Sequence, residues 1–436
     1  MHFSRSAFIS KSIIITVLLI APFASGQEET APAPVEETTS AEGAEEVPTE
    51  PEATEPEATA VEETPAPVEE EPPVVETPTE EDEKEETRIE EEEAAPEEEA
   101  VEEETVLGGI NWGVWGRVDF AAGGQDSLDD FTSSGRFELH SSGSVHKYIN
   151  FTANFIANYN PEIAGDAALL DGIVQFDFAD AFHVWGGRML VPVDRSNFSG
   201  PWFMTPWYYP GFGFADGQVA APREGPAGRN DGATVWGSFA GGLIKYYAGA
   251  YDLFDGDQSP LYTGRLNLSF LNKESGYYSN SSYLGEDTLS IGIAGQYKGD
   301  GSVGTPVDPA DPAPTDDYAS FNADLLFEKK FGEAGVLNLE GAVYIFTGEY
   351  EPTEAAWFGV ASYLIPVEVG IGKFQPVFRV QQAFASAEGA DASTLIDSQL
   401  SYLIDGFAAR LSLGYRYGFA GDLKTQSLYL GAQFMK

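Results

Sequence analysis

The chain has 436 residues, no cysteine and a formal net charge of −48 at pH 7. The missing thiols exclude disulfides, thiolate metal ligation and thiol catalysis. So large an anionic excess, with no basic patch, argues against nucleic acid as a partner.

Residues 1–26 carry Arg5 and Lys11 ahead of a short apolar run, Ile13 to Ile20, followed by the small residues Ala24, Ser25 and Gly26. This is the pattern of a secretory signal peptide, and the run is too short to span a bilayer as a helix. Cleavage is expected just before Gln27. Residues 27–105 consist mostly of Glu, Pro, Ala, Thr and Val, without an aromatic residue. Roughly thirty of the acidic residues lie here against Lys84 and Arg88 alone, too polar a segment to offset its ordering entropy. A disordered acidic spacer, placed in the periplasm, is the expectation. A tether acting through this tail is the alternative function.

From residue 106 to 436 short segments alternate apolar and polar residues. Side chains switch faces at every residue of a strand, so each segment makes one greasy and one wet face. In the first strand Ile110, Trp112, Val114, Val118 and Phe120 oppose Asn111, Arg117 and Asp119. Further on, Ile149, Phe151, Ala153 and Phe155 oppose Asn150, Thr152 and Asn154. Leu266, Leu268 and Phe270 oppose Arg265, Asn267 and Ser269, and Leu411, Leu413 and Tyr415 oppose Arg410, Ser412 and Arg416. The last strand ends on Leu428, Leu430, Ala432 and Phe434.

No segment reads as a core helix that could cover the greasy face. The expected fold is therefore all-β, a transmembrane antiparallel barrel of about sixteen strands with lipid outside and water inside. Trp112, Phe120, Tyr246, Tyr297, Tyr415 and Tyr417 fall near strand ends, as interfacial girdles would. Short connections such as Ala179–Ala181 and Asp405–Gly406 alternate with long ones such as Ala121–Ser133, Asn158–Ala167 and Gly299–Asp317. That is the expected difference between periplasmic turns and outer loops.

The connection Asp194–Asn230 is the longest. It holds Trp202, Phe203, Trp207, Tyr208 and Tyr209, with Arg195, Asp216, Arg223 and Arg229 among its charges. Folded into the lumen, its aromatics would pack on the wall while its charges narrow the pore. Pleat parity points Arg117, Arg136, Lys245, Arg265, Arg379, Arg410 and Arg416 into the lumen with Asp119, Glu138, Asp177, Asp324, Glu328 and Glu340. A basic wall at Arg410, Arg416, Arg117 and Arg136 facing acids on the opposite side would set up a transverse field and an anion preference. The strand carrying Arg188 has an ambiguous parity.

Three segments carry a resemblance. They are Gly186-Gly187-Arg188-Met189-Leu190-Val191-Pro192, then Gly228-Arg229-Asn230-Asp231-Gly232, then Gly264-Arg265-Leu266 with Gly276-Tyr277-Tyr278-Ser279-Asn280-Ser281-Ser282-Tyr283. Together they resemble the phosphate-selective porin O and P family over most of residues 106–436. The resemblance implies a sixteen-stranded, usually trimeric porin with inward-folded loops in the outer membrane of a Gram-negative bacterium. It does not carry over a phosphate site, because the barrel is net acidic and its arginines are scattered.

The expected function is passive diffusion of small hydrophilic solutes or ions, small anions among them. Outer-membrane lipid, the barrel assembly machinery and two further copies of the chain are the expected partners. The end Phe434-Met435-Lys436 departs from the aromatic terminus common to such barrels. No cofactor or metal is expected: the acidic clusters Asp252, Asp255, Asp257 and Asp308, Asp311, Asp316, Asp317 lack the closing Glu of a calcium loop. An outer-membrane hydrolase would need His140, near Glu138 and Ser142, to engage a hydroxyl, and a non-enzymatic barrel is expected instead.

Overall fold

The computed structural model describes residues 109–436 except 126, 161–162, 211–227, 253–258, 275, 307 and 309–310. The signal peptide, the acidic spacer, Asp216, Arg223, Asp255 and Asp257 therefore lie outside the described residues.

Alternating sequence becomes strand throughout. The first strands are β1 (Asn111–Gln125), β2 (Asp130–His146), β3 (Ile149–Asn160), β4 (Ile163–Ala179) and β5 (Phe182–Leu190). After a long connection come β6 (Arg229–Phe239), β7 (Ile244–Tyr251), β8 (Leu261–Ser269), β9 (Thr288–Val303) and β10 (Thr315–Lys330). The rest are β11 (Val336–Thr347), β12 (Thr353–Leu364), β13 (Glu368–Val369), β14 (Gly372–Ala385), β15 (Ser393–Asp405), β16 (Ala409–Ala420) and β17 (Leu423–Met435). The two-residue β13 only decorates a turn by pairing with β14, while β12 pairs directly with β14. Sixteen strands thus form the wall, each antiparallel to its neighbours in sequence.

The sheet closes on itself. β1 pairs with β2 on one side and with β17 on the other, from Trp115↔Met435 to Gln125↔Thr425. Val114 and Lys436 exchange backbone hydrogen bonds of 2.8 and 3.0 Å beyond that ladder. Closure leaves no unpaired edge, which is what a strand-built membrane span requires.

The two faces are inverted relative to a soluble protein. Ile293, Leu400 and Leu413 are 53%, 44% and 50% exposed on the outside, while Ser290, Gln296 and Ser412 are 0%, 4% and 1% exposed on the inside. Large aliphatic side chains face outward around the wall, and the enclosed face combines polar groups with a buried apolar cluster that includes Tyr344, Phe346, Phe358, Val360 and Val377.

The connection lengths differ from the expected alternation. β1 and β2 extend to Gln125 and from Asp130, and β3 and β4 reach Asn160 and Ile163, so ladder hydrogen bonds absorb much of two expected loops. Conversely, residues 270–287 form a long connection at the end that carries the short turns. Glu274, Tyr277, Ser279, Ser281 and Ser282 of this connection are buried inside the barrel.

Candidate functional site

Two segments enter the barrel from opposite ends and determine what its interior can do. The first is the start of the connection after β5. Pro192 ends the strand because it lacks an amide donor. The chain then makes the single-turn helix α1 (Arg195–Ser199), capped by Asp194, whose carboxylate accepts from the Asn197 amide at 2.7 Å and from Ser196 Oγ at 2.8 Å. Tyr344 on β11 donates to the same carboxylate at 3.0 Å, and Arg265 on β8 donates to the Val193 carbonyl at 2.8 Å. Burial pushes the Asp194 carboxyl up to about 6, its bond from the Asn197 amide offsetting only part of that.

Beyond α1 the segment crosses to the opposite wall. Arg117 on β1 donates to the carbonyls of Pro201 and Trp207, and lies 4.0 Å above the Trp207 ring. Arg410 on β16 donates to the Met204 carbonyl at 2.8 Å and Arg379 on β14 to the Tyr208 carbonyl at 2.5 Å. Gln433 on β17 reaches the Trp202 carbonyl at 2.9 Å, and Gln399 on β15 accepts from the Trp207 amide at 2.7 Å. Tyr208 donates to Asp119 at 3.0 Å, and Arg416 sits 4.8 Å from the Tyr208 ring. Irregular backbone enclosed by the wall is held by these polar partners, because an unpaired buried amide or carbonyl would be costly.

The second segment is residues 270–287. Glu274 takes a two-pronged ion pair from Arg195, at 2.5 and 2.8 Å, and hydrogen bonds from Tyr283 at 2.5 Å and Ser290 at 2.8 Å. Burial pushes the Glu274 carboxyl up, but the Arg195 guanidinium outweighs it and holds the carboxyl well below its usual range. Glu328 on β10 caps this connection, accepting from Ser282 Oγ at 2.5 Å and from the amides of Tyr283 and Gly285 at 3.1 and 2.6 Å. Tyr277 stacks on Trp185 with centroids 4.6 Å apart and donates to the Leu190 carbonyl at 3.1 Å. Ser199 Oγ donates to the Ser279 carbonyl at 3.1 Å, so the two segments are joined.

The residues read as pore-lining all turn inward, but they divide into two groups. Arg117, Lys245, Arg265, Arg379 and Arg410 are buried. Lys245 donates to the Gly276 carbonyl at 2.9 Å, and Arg265 forms a two-pronged pair with Asp324 at 2.5 and 2.9 Å. These cations hold the inserted segments. In the second group Arg136, Asp119 and Asp177 are partly exposed, while Glu138 is buried. Arg136 pairs with Glu138 at 2.5 Å, His140 lies 3.0 Å from Glu138, and Asp119 accepts from Ser134 at 2.8 Å. Asp177 gathers Asn150, His183 and Trp185 at 2.7, 2.7 and 2.9 Å.

Among the expected loop residues, Arg195, Trp202 and Trp207 lie inside the barrel, and Arg229 pairs with Asp171 at 3.1 Å. Glu274, Asp171, Gln399 and Gln433 were not singled out from sequence. Gln399 and Gln433 had the correct parity as a signal, whereas Glu274 sits in a connection with no period to reveal it. His140 is engaged by Glu138 and packed against Trp115 with centroids 3.7 Å apart.

No family model and no curated protein matches this chain. Solved structures do. The chain is similar to OprB of Pseudomonas putida, in its high-pH structure, at 10% identity and a TM-score of 0.55, over 75% of this chain and 94% of that one. It is also similar to OmpT, an outer membrane protein of Vibrio cholerae, in a mutant lacking loop L8, at 12% identity and a TM-score of 0.51, over 75% and 99% of the two chains. The in-vitro folded trimer form of OmpT gives 13% identity and a TM-score of 0.50, with coverage of 75% and 99%. At these identities the likeness is one of fold.

Proposed function

We propose that this barrel is an outer-membrane porin, through which small hydrophilic solutes and ions diffuse passively past a constriction that includes residues 194–210. The observation that carries the reading is the pairing of an exposed aliphatic outer face with an interior segment held by arginines from the surrounding wall. A tethering barrel would have no need of a built, anchored segment inside its lumen. The acid–base groups of the interior are tied up in ion pairs and hydrogen bonds, which suits a conduit rather than a hydrolase.

The sign of selectivity follows from where charge is left over. Arg117 and Arg410 are bonded to neutral carbonyls, so their positive charge is uncompensated by those contacts. They stand on the side of the wall that also carries Arg416. On the opposite side Arg195 and Arg265 are paired with Glu274 and Asp324, Glu328 adds negative charge, and Lys245, bonded to the Gly276 carbonyl, adds one positive charge. In a narrow polar passage with low-dielectric walls such an asymmetry is felt by the permeant ion. A modest anion preference is the proposal. The resemblance to the phosphate-selective porin O and P family fits an anion pathway, but guanidinium groups spent on backbone carbonyls make a poor phosphate ladder.

In this reading the chain resides in the outer membrane of a Gram-negative bacterium as a homotrimer delivered by the barrel assembly machinery, with residues 27–105 in the periplasm. Proteoliposome swelling with sugars of graded size tests it. Uptake falling steeply with solute size is the expected result, and liposomes that admit none of the sugars or ions would refute a porin.

A further inference from the structure

Pro376 stands inside a wall strand, β14, where its ring leaves the backbone one amide donor short. The ladder from β14 to β15 runs past it, from Lys373↔Leu403 to Ala383↔Ser393. On the other side the β12–β14 ladder stops at Ser362↔Val377, and the Ile365 amide then bonds the Phe374 carbonyl at 2.9 Å. A seam is left between Tyr363 and Leu364 on one strand and Gln375 and Pro376 on the other. From the inner side Gln375 holds it shut by donating to Ser362 Oγ at 3.2 Å.

On the outer face the seam borders a groove of about 670 Å³. Ala361 and Ser398 flank Phe378 in one cross-strand row, and Pro376 lies on the same face below it. These small side chains are set among the exposed Phe378, Leu413 and Tyr415, and the groove is the space they leave. At its lower end are Leu337, the second residue of β11, and Tyr363, which donates to the Ala334 carbonyl in the short turn before β11. At its upper end Tyr415 lies six residues from Ala409, the start of β16. At about 3.3 Å per residue and a tilt near 40°, that is about 15 Å above the short-turn end of the wall. The apolar band of such a barrel is about 25 Å tall, so the groove has the depth of one leaflet.

A charged pair marks the lower end. Lys329 on β10 is directly opposite Leu337, on the same outer face, and pairs with Asp287. Their side chains are 41% and 39% exposed, and a pair so open is held weakly enough to exchange partners. We infer that this groove binds one glycerophospholipid, an acyl chain lying along it and the phosphate and ammonium of a phosphatidylethanolamine headgroup meeting Lys329 and Asp287. The groove is continuous with the aliphatic outer wall, and its lower end offers one charge of each sign to a zwitterion. A concave apolar surface touches a chain on more sides than a flat wall does, so the chain gains dispersion contacts there. The inference rests on the membrane residence proposed above and adds a resident lipid to it.

The test uses full-length protein in phosphatidylglycerol vesicles containing a trace of phosphatidylethanolamine with a diazirine midway along one acyl chain. After illumination the labelled peptides are mapped by mass spectrometry. The expected result is labelling of residues 361–378 and 398–415 several-fold above that of β1 and β2. The double variant Ala361→Leu, Ser398→Leu fills the groove and should abolish this excess, and Lys329→Gln should lower it at least twofold. Labelling spread evenly around the wall, or an excess unchanged in either variant, overturns the inference. Folding of each variant is checked by its heat-dependent migration, and Ala361→Leu alone replaces the double variant if the latter misfolds. Folded protein labelled nowhere would overturn the membrane residence itself, so the two failures are distinct.

Discussion

Arg195 and Glu274 are both fully buried, with side-chain exposures of 0%. Two charges at this depth are tolerable only together, because each would otherwise lose its hydration for nothing. Glu274→Ala leaves Arg195 with Asp324 at 4.0 Å as its remaining carboxylate. The expected cost is about 3–5 kcal/mol, read as a lower temperature for conversion of the folded band in gel electrophoresis. Glu274→Gln keeps an acceptor and should cost less. Asp194 gives a pH signature of opposite kind. Its carboxyl is raised from 3.8 to about 6 by burial, so the folded state holds a proton that the unfolded chain releases. Since stability falls with pH wherever the folded state binds more protons, Asp194 weakens the fold as pH rises from about 4 to 6. Asp194→Asn should retain the helix cap and flatten the stability profile across that window. An unchanged profile would show that Asp194 is not the group responsible. Glu274, depressed by Arg195, works the other way: its stabilisation is present above its ordinary value of 4.5 and fades as pH falls below it.

At the scale of elements, the strands were legible from the sequence and the interior was not. A strand residue's face is set by its own position in a two-residue period, so Ile149 to Phe155 or Leu411 to Tyr415 can be assigned locally. Arg117, Arg379 and Arg410 could likewise be turned inward by parity. What they hold could not be read, because Arg195 meets Glu274 across 79 residues and Arg410 meets Met204 across 206. No periodicity encodes such pairs. The inward packing of residues 270–287 escaped for the same reason, although Gly276–Tyr283 stood out as part of a resemblance. The anchors lead to a functional expectation. The double variant Arg117→Ala, Arg410→Ala releases the carbonyls of Pro201, Met204 and Trp207 and should give larger, noisier single-channel steps. Unchanged steps would mean that the segment does not limit the passage. β5 has its own constraint at Gly187, where φ is 122° and a Cβ would lie 2.0 Å from the Gly172 carbonyl oxygen. Gly187→Ala should therefore sharply reduce the yield of folded, heat-modifiable barrel, since backbone there cannot yield without breaking the β4–β5 ladder.

For the whole molecule, closure and an aliphatic exterior follow from one repeated pattern, and in the proposed function the inserted segments narrow the barrel into an electrically asymmetric passage. The bonding of Arg117 and Arg410 to neutral carbonyls on one side, against Glu328 on the other, makes the sign of ion selectivity the most informative property of the assembled protein. The most direct measurement is the single-channel current of the full-length protein in a planar bilayer, with the reversal potential taken under a tenfold potassium chloride gradient (about 59 mV for an ideally selective pore at this ratio). Discrete open steps with a reversal potential of the sign for chloride, well short of the ideal limit, are the expected result. Folded protein that inserts without conducting would contradict the porin account, and a reversal potential of the sign for potassium would contradict the assignment of selectivity to the arginine side of the wall.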